Sequence, residues 1–277
     1  MLTSESQSHA TAELDSVRDE HWTFHFSAAT DVGRQRSINE DFYLLYPDRH
    51  LYIVADGMGG HAAGEVASRM AAETLAAYFD ECDLPQRADP TADREKSMPH
   101  HLVQAVKITN SAIFEEAGQS TEREGMGTTI VALAFSDERA YWAHVGDSRL
   151  YRWRNRRLEP MTRDHSLLEQ TLDRHDLTDE ETRQLKERFP YKNVLSRALG
   201  TRYTVDVDVD SAPLRDGDLY AMTTDGVHDV VDDVELAEVL RRHRHDWHRA
   251  CQTVVDTANG AGGPDNSTIA CIETRTR

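Results

Sequence analysis

The sequence predicts an α+β fold in four layers, α-β-β-α, with two mostly antiparallel sheets stacked face to face and helices on both outer faces. Three observations carry this expectation. Helical patterning comes in a pair of stretches early in the chain and a second pair near its end. Between the pairs runs a group of short segments with β patterning. Strands therefore follow strands, without the strict β-α alternation that a doubly wound parallel sheet requires.

Taken in order, residues 24–29 form a first strand that ends at Asp31-Val32-Gly33. Residues 51–55 are short, apolar and rich in β-formers, and they stop abruptly at Asp56-Gly57, as a buried strand delivering a carboxylate at its end would. Glycines at 57, 59, 60 and 64 let the backbone turn tightly there. Residues 65–79 are helical, with Val66, Met70, Leu75, Tyr78 and Phe79 along one side. Residues 80–100 are Pro- and charge-rich and read as a surface loop. A second helix covers 101–117, where Leu102, Val106, Ile113 and Ala117 recur near the helical period.

The period then changes. Residues 128–135, 140–145, 149–153, 203–209 and 219–223 read as strands. Asp206, Asp208 and Asp210 alternate with Val205, Val207 and Val209, as one wet and one buried sheet face would. Successive aspartates on one strand face more often meet water than a metal, so no ion is expected there. Helices return at 234–242 and 246–259, and a strand at 267–273 closes the chain.

The 277 residues are expected to form one domain, 23–277, behind a short polar leader, 1–22. The leader lacks the basic start and apolar stretch of a signal peptide, and no apolar run is long enough to span a bilayer. A net charge of -18 argues against a nucleic-acid or anionic-membrane partner, which would want clustered Lys and Arg. The three cysteines are far apart and without a C-x-x-C pair, so neither a disulfide framework nor a thiolate zinc site is expected. The expectation is a cytoplasmic monomer.

Five places put aspartate in a turn or at a strand end: Glu40-Asp41, Asp56-Gly57, Gly146-Asp147-Ser148-Arg149, Asp225-Gly226 and Asp265-Asn266. Each alone is an ordinary turn. Together they suit hard cations, because Mg²⁺ and Mn²⁺ take oxygen ligands, keep several waters and need only a few carboxylates on rigid supports.

Here the chain resembles the bacterial protein phosphatase 2C-like family, metal-dependent Ser/Thr protein phosphatases. The resemblance runs from about residue 27 to residue 272 and rests on seven motifs in the family's order. They are Asp31-Val32-Gly33 with Arg36 and Asn39-Glu40-Asp41; Val54-Ala55-Asp56-Gly57-Met58-Gly59-Gly60-His61; Gly127-Thr128-Thr129; Ala143-His144-Val145-Gly146-Asp147-Ser148-Arg149; Thr162-Arg163-Asp164-His165-Ser166; Thr224-Asp225-Gly226; and Gly263-Pro264-Asp265-Asn266-Ser267-Thr268.

The resemblance implies roles residue by residue. Asp56 would bridge two ions, with the Gly57 carbonyl as a further ligand. Asp41, with Glu40 beside it, would reach one ion, and Asp225 and Asp265 would complete the other. A third, weaker ion of bacterial relatives would fall to Asp147 and Asp229, with Asp225 shared. Arg36 stands where the family places its phosphate-gripping arginine. The implied cofactor is Mn²⁺ or Mg²⁺, and the implied substrates are phosphorylated proteins, Ser/Thr kinases among them.

The chemistry fits such a set. Phosphate monoester hydrolysis is among the slowest uncatalysed reactions, and two cations about 3.5–4 Å apart acidify water and neutralise charge on the phosphoryl group. Arg36 can fork two N–H bonds onto phosphoryl oxygens. His61 is the candidate general acid for the leaving alkoxide, against a purely structural place in its glycine-rich loop.

Other features carry blander expectations. His165 is expected to orient its turn. Residues 167–193, a charged stretch, fall where the bacterial family carries a flap. His243, His245 and His248 lack ligand spacing and read as a helix end. Thr224 replaces the family's usual serine and keeps the hydroxyl, and His228 precedes Asp229. The alternatives are a non-catalytic, phosphatase-like binding module, disfavoured by the intact ligand set, and a metal-dependent nuclease, disfavoured by the acidity.

Overall fold

Strand partners, not helices, organise the chain. The computed structural model describes residues 15–59, 63–82, 97–136, 138–174, 177–191 and 194–277. Its strands are β1 (Asp15–Arg18), β2 (Trp22–Asp31), β3 (Asp41–Tyr46), β4 (Leu51–Met58), β5 (Gly127–Thr128), β6 (Ile130–Ser136), β7 (Arg139–Val145), β8 (Arg149–Arg154), β9 (Arg157–Pro160), β10 (Asp208–Pro213), β11 (Leu219–Thr223) and β12 (Ser267–Thr276). The helices are α1 (Ala63–Glu81), α2 (Met98–Ala117), α3 (Leu167–Asp173), α4 (Asp179–Arg188), α5 (Asp225–His228), α6 (Asp233–Arg242) and α7 (Trp247–Gly260). One sheet runs β10-β7-β6-β4-β3, with β5 paired to the end of β4; the other runs β1-β2-β12-β11-β8-β9. All the strand pairs are antiparallel.

The period of two sorts each strand between layers. On β3 and β4, Phe42, Leu44, Ile53 and Ala55 face the pocketing surface of α1 and α2, whose Leu75, Phe79, Leu102 and Ile113 fill the outer core. The intervening Tyr43, Leu45, Tyr52 and Val54 meet Phe24, Phe26, Tyr220 and Ile272 of the other sheet. Beyond that sheet, Ala221, Ile269 and Cys271 pack against Leu236, Leu240, Val254 and Val255 of α6 and α7. Three apolar layers alternate with four layers of structure, which is the expected α-β-β-α sandwich.

Several boundaries differ from expectation. The sheet begins inside the segment expected to be a leader: β1 pairs with β2 through a turn in which Asp19 Oδ1 accepts from the backbone N–H of His21 and Trp22 at 2.8 and 2.6 Å. Only Val17 of β1 packs on the core, so the strand leaves no periodic trace. The strand expected at 203–209 is displaced: the ladder is β10, Asp208–Pro213, although Val205, Val207 and Val209 do pack toward α2 while their aspartates stay on the other face. Strands β3 and β9 lie outside the expected strand segments. α2 begins within the expected loop 80–100, of which 83–96 lie outside the described residues. No described helix is long and apolar enough to cross a membrane.

Candidate metal centre

The register brings the motif carboxylates to one end of the two sheets. Asp41 opens β3 and Asp56 lies near the end of β4, and the two are Cα partners across the pair. β12 starts at Ser267 opposite Asp31, which sets Asp265 and Asn266 beside the loop 32–40. β11 ends at Thr223, paired with Ile269 on one side and Arg149 on the other, so Asp225 and Asp147 emerge at the same edge.

Hydroxyls hold the first carboxylate. Asp41 Oδ2 accepts from Thr224 Oγ1 at 2.8 Å and from Thr268 Oγ1 at 2.7 Å. Thr268 in turn contacts Thr30 Oγ1 at 2.7 Å, and Asn39 Nδ2 donates to Thr30 at 2.9 Å. The other oxygen, Asp41 Oδ1, is buried and meets no donor, and the same holds for Asp225 Oδ1. Such atoms are costly unless something positive comes to them.

The second carboxylate rests on backbone and threonine. Asp56 N–H donates to Thr129 Oγ1 at 2.9 Å, Thr128 Oγ1 donates to the Asp56 carbonyl at 2.8 Å, and Thr129 Oγ1 shares a 2.7 Å hydrogen bond with Ser148. Gly57 follows because nothing larger fits: a Cβ there would lie 2.0 Å from the Gly64 carbonyl oxygen and 2.6 Å from that of Glu40. Gly57 N–H donates to that Glu40 carbonyl at 3.0 Å.

The carboxylates strain one another electrostatically. Burial, and then Asp225, Asp41, Asp147 and Asp265, push Asp56 well above the usual carboxylate range. Asp41 is raised to about 7, first by burial and further by Asp225 and Asp265, against the pull of its two threonines. Asp225 is raised to about 6 by burial, Asp265 and Asp229, and lies within hydrogen-bonding reach of Asp56. Asp147 is raised to about 8 by burial, then by Asp225, Asp164 and Asp229. A set of buried acids that mutually resist ionisation, with orphaned oxygens, fits hard divalent cations.

Arg36 sits half-exposed at the rim. Its Nη2 donates to Asp265 Oδ2 at 2.7 Å, and its Nη1 lies 3.9 Å from Glu40 Oε2. The structure places Glu40 differently from its neighbour Asp41. Its carboxylate packs on Gly64 and faces Arg36, while its backbone N–H donates to Asn266 Oδ1 at 2.8 Å. Asn266 also donates through Nδ2 to the carbonyls of Val32 and Ile38, both at 2.9 Å, and so fastens the Arg36 loop to β12. His61 lies outside the described residues. His228 is half-buried and turned to Thr223, with Nδ1 2.9 Å from its hydroxyl, so it does not stand between Asp229 and the cluster.

Thr30, Asn39, Thr129, Ser148 and Thr268 are structural members of this site to which sequence reasoning assigned no role. The only signal for Asn39, Thr129, Ser148 and Thr268 is membership in the quoted motifs, and Thr30 lies outside them; nothing local says which distant carboxylate each will meet.

The protein phosphatase 2C family model matches residues 33–261, a span that contains Glu40, Asp41, Asp56, Asp147, Asp225 and Asp229 but not Asp265. The chain belongs to the protein phosphatase 2C family. Among its relatives, "Protein phosphatase PhpP" of Streptococcus pneumoniae is 33% identical over 249 residues, which cover 89% of this chain and 96% of that one. The Mycobacterium tuberculosis serine/threonine phosphatase PstP/Ppp has a similar crystal structure, with a TM-score of 0.78, 32% identity, and coverage of 90% of this chain and 98% of that one. The catalytic domain of PstP solved in complex with two manganese ions gives a TM-score of 0.76 at 31% identity, covering 92% and 99%. These matches cover about nine-tenths of the chain, and its two antiparallel sheets with outer helices match the fold of the solved phosphatases.

Proposed function

We propose that this phosphatase 2C family member hydrolyses phosphoserine and phosphothreonine on proteins, with Mn²⁺ or Mg²⁺ held by aspartates at one end of the two sheets. The observation that carries the reading is the convergence of Asp41, Asp56, Asp147 and Asp225, each raised in pKa first by burial and then by neighbouring acids. Asp41, Asp56 with the Gly57 carbonyl, Asp225 and Asp265 would hold two ions, with Glu40 as a support beside Asp41. Asp147 and Asp229, sharing Asp225, would take a third. Cations bound there would lower the pKa of water and offset the charge of the phosphoryl group.

The chain's own residues do the rest. Thr224 and Thr268 fix one oxygen of Asp41 and leave the other free to point into the cluster. Arg36, oriented by Asp265, has further N–H groups with which to grip a phosphoryl group at the rim. His61, which follows β4 in the sequence, is the proposed donor of a proton to the serine or threonine alkoxide as it leaves. Ser/Thr kinases are proposed among the phosphoprotein substrates, and the acting form is a cytoplasmic monomer.

The test is hydrolysis of an aryl phosphate and of a phosphothreonine peptide by the purified chain. Turnover should require Mn²⁺, stop with chelator, and fall at least about 100-fold in Asp225→Ala, since loss of a ligand removes charge stabilisation at the reacting phosphorus. Turnover that persists in chelator would sink the proposal.

A further inference from the structure

Outside the aspartate cluster, one other metal-ligand-like group of side chains gathers among the described residues, at the edge of the first sheet. His144 on β7 and Asp208 on β10 are register partners, so their side chains share a face. His165, from the loop before α3, joins them, and one nitrogen or oxygen from each lies within 4.8 Å of the others. The composition suggests a cation site. The hydrogen bonds exclude His165 as a ligand. Its Nδ1 accepts the Gly146 N–H at 3.1 Å, so in the neutral ring the proton is on Nε2. That Nε2 lies 3.2 Å from both Asp208 Oδ2 and Arg197 Nη1; the guanidinium cannot accept a proton, so Nε2 donates to the carboxylate and has no lone pair to offer. A positive charge is already in place: Arg197 Nη1 donates to Asp208 Oδ1 at 2.7 Å.

The group serves Gly146 instead. His165 N–H donates to the Gly146 carbonyl at 2.9 Å while Gly146 N–H donates to the His165 ring, so one residue grips both polar groups of the glycine. Gly146 has φ +108, and a Cβ there would lie 2.6 Å from Thr129. Its turn delivers Asp147, next in sequence. The ring itself is held on every side: it stacks on His144 at 4.6 Å, whose Nε2 donates to the Arg163 carbonyl at 2.9 Å. Ser196 N–H donates to the His165 carbonyl at 2.8 Å, tying in the strand-like return at 194–197.

We infer that His165, with its ring held by Asp208, is a positioning residue for Asp147: by clamping Gly146 through both its N–H and its carbonyl, it aims the Asp147 carboxylate toward Asp225 and Asp229. The inference rests on the metal reading above. An outer residue that orients a ligand in this way typically changes metal affinity 10–100-fold when replaced.

The test is calorimetric titration of the metal-free full chain with Mn²⁺. Asp147→Asn identifies the binding class that depends on Asp147. His165→Gln keeps an amide near Asp208 and removes the acceptor for Gly146; His165→Asn keeps an acceptor near the Nδ1 position. The Gln variant should weaken the Asp147-dependent class about 10-fold or more and leave the remaining classes unchanged, and the Asn variant should restore most of the loss. An unaltered isotherm in folded His165→Gln, or equal losses in both variants, overturns the inference. Binding of no Mn²⁺ by the unmodified chain overturns the metal reading itself. Independently of any variant, the ¹⁵N spectrum of the unmodified chain should show His165 Nδ1 without a proton, and a protonated Nδ1 overturns the clamp.

Discussion

Thr224 and Asp41, 183 positions apart, meet in a 2.8 Å hydrogen bond from the threonine hydroxyl to Oδ2. The hydroxyl opposes the burial that raises the Asp41 pKa, so it favours the ionised form that a cation needs. Thr224→Val keeps the shape and deletes the donor. It should weaken Mn²⁺ binding about 10-fold, whereas Thr224→Ser should stay close to the unmodified protein. Manganese titration of both variants checks this, and equal affinities for Val and Ser would mean that the hydroxyl does not hold the carboxylate for an ion.

The same pKa shifts fix the sign of a pH effect. Asp41 near 7 and Asp147 near 8 bind protons in the folded, metal-free chain that the unfolded chain has released above about pH 4. The folded state therefore binds more protons over that window, and its stability falls as pH rises from about 4 to 8. Metal-free protein should melt at lower temperature at pH 8 than at pH 6, and added Mn²⁺ should raise the melting temperature more at pH 8. Asp147→Asn removes one of the opposed charges. It should stabilise metal-free protein at pH 8 by about 2 kcal/mol, well below the full shift because neighbouring acids take up protons in response. Denaturant unfolding at pH 6 and 8 measures this, and a variant less stable than the parent at pH 8 would contradict it.

Gly57 sits where three backbones converge. Because the missing Cβ would lie within 2.0 Å of the Gly64 carbonyl oxygen, Gly57→Ala must separate β4 from the start of α1. The expected cost is about 3 kcal/mol or more, the size seen when a packed interior is forced apart. Gly125→Ala, where a Cβ would have nothing within 4 Å, carries only the strain of its positive φ and should cost about 1 kcal/mol. Chemical denaturation of the two variants compares them.

Those contrasts show what a sequence can and cannot disclose here. β4 is legible because five apolar residues end at Asp56-Gly57. β3 is not, although Asp41 opens it, because all six of its residues are buried: Phe42 and Leu44 face the helices while Tyr43 and Leu45 face the second sheet, so no period of two survives. The valine and aspartate alternation at 205–210 is real, yet only its end pairs with β7; alternation reports two-sided packing, not hydrogen bonding. The aspartates themselves are visible through their motifs. Thr224 and Thr268, which hold Asp41, are visible only as motif members, and Thr30, which meets Thr268, lies outside every motif, since these contacts are made through sheet register. Glu40 looks equivalent to Asp41 in sequence, but the alternation of side chains along the chain turns it to Arg36 and Gly64.

Arg36 gives the sharpest separation between holding metal and holding substrate. One guanidinium nitrogen is committed to Asp265 at 2.7 Å, and the side chain remains half-exposed, so its other N–H groups face the rim where a phosphoryl group would arrive. A lysine there carries the same charge but cannot keep a fixed fork on two oxygens while bonded to Asp265. Losing one charge-assisted hydrogen bond to a phosphoryl oxygen costs about 1.5–3 kcal/mol. Arg36→Lys should therefore lower kcat/KM for a phosphothreonine peptide about 10- to 100-fold, chiefly through KM, while Mn²⁺ affinity changes little because no metal-facing carboxylate is removed. Steady-state kinetics at saturating Mn²⁺, paired with a manganese titration of the same variant, separate the two effects. An unchanged KM with weakened Mn²⁺ binding would make Arg36 a support for Asp265 and not a grip on phosphate.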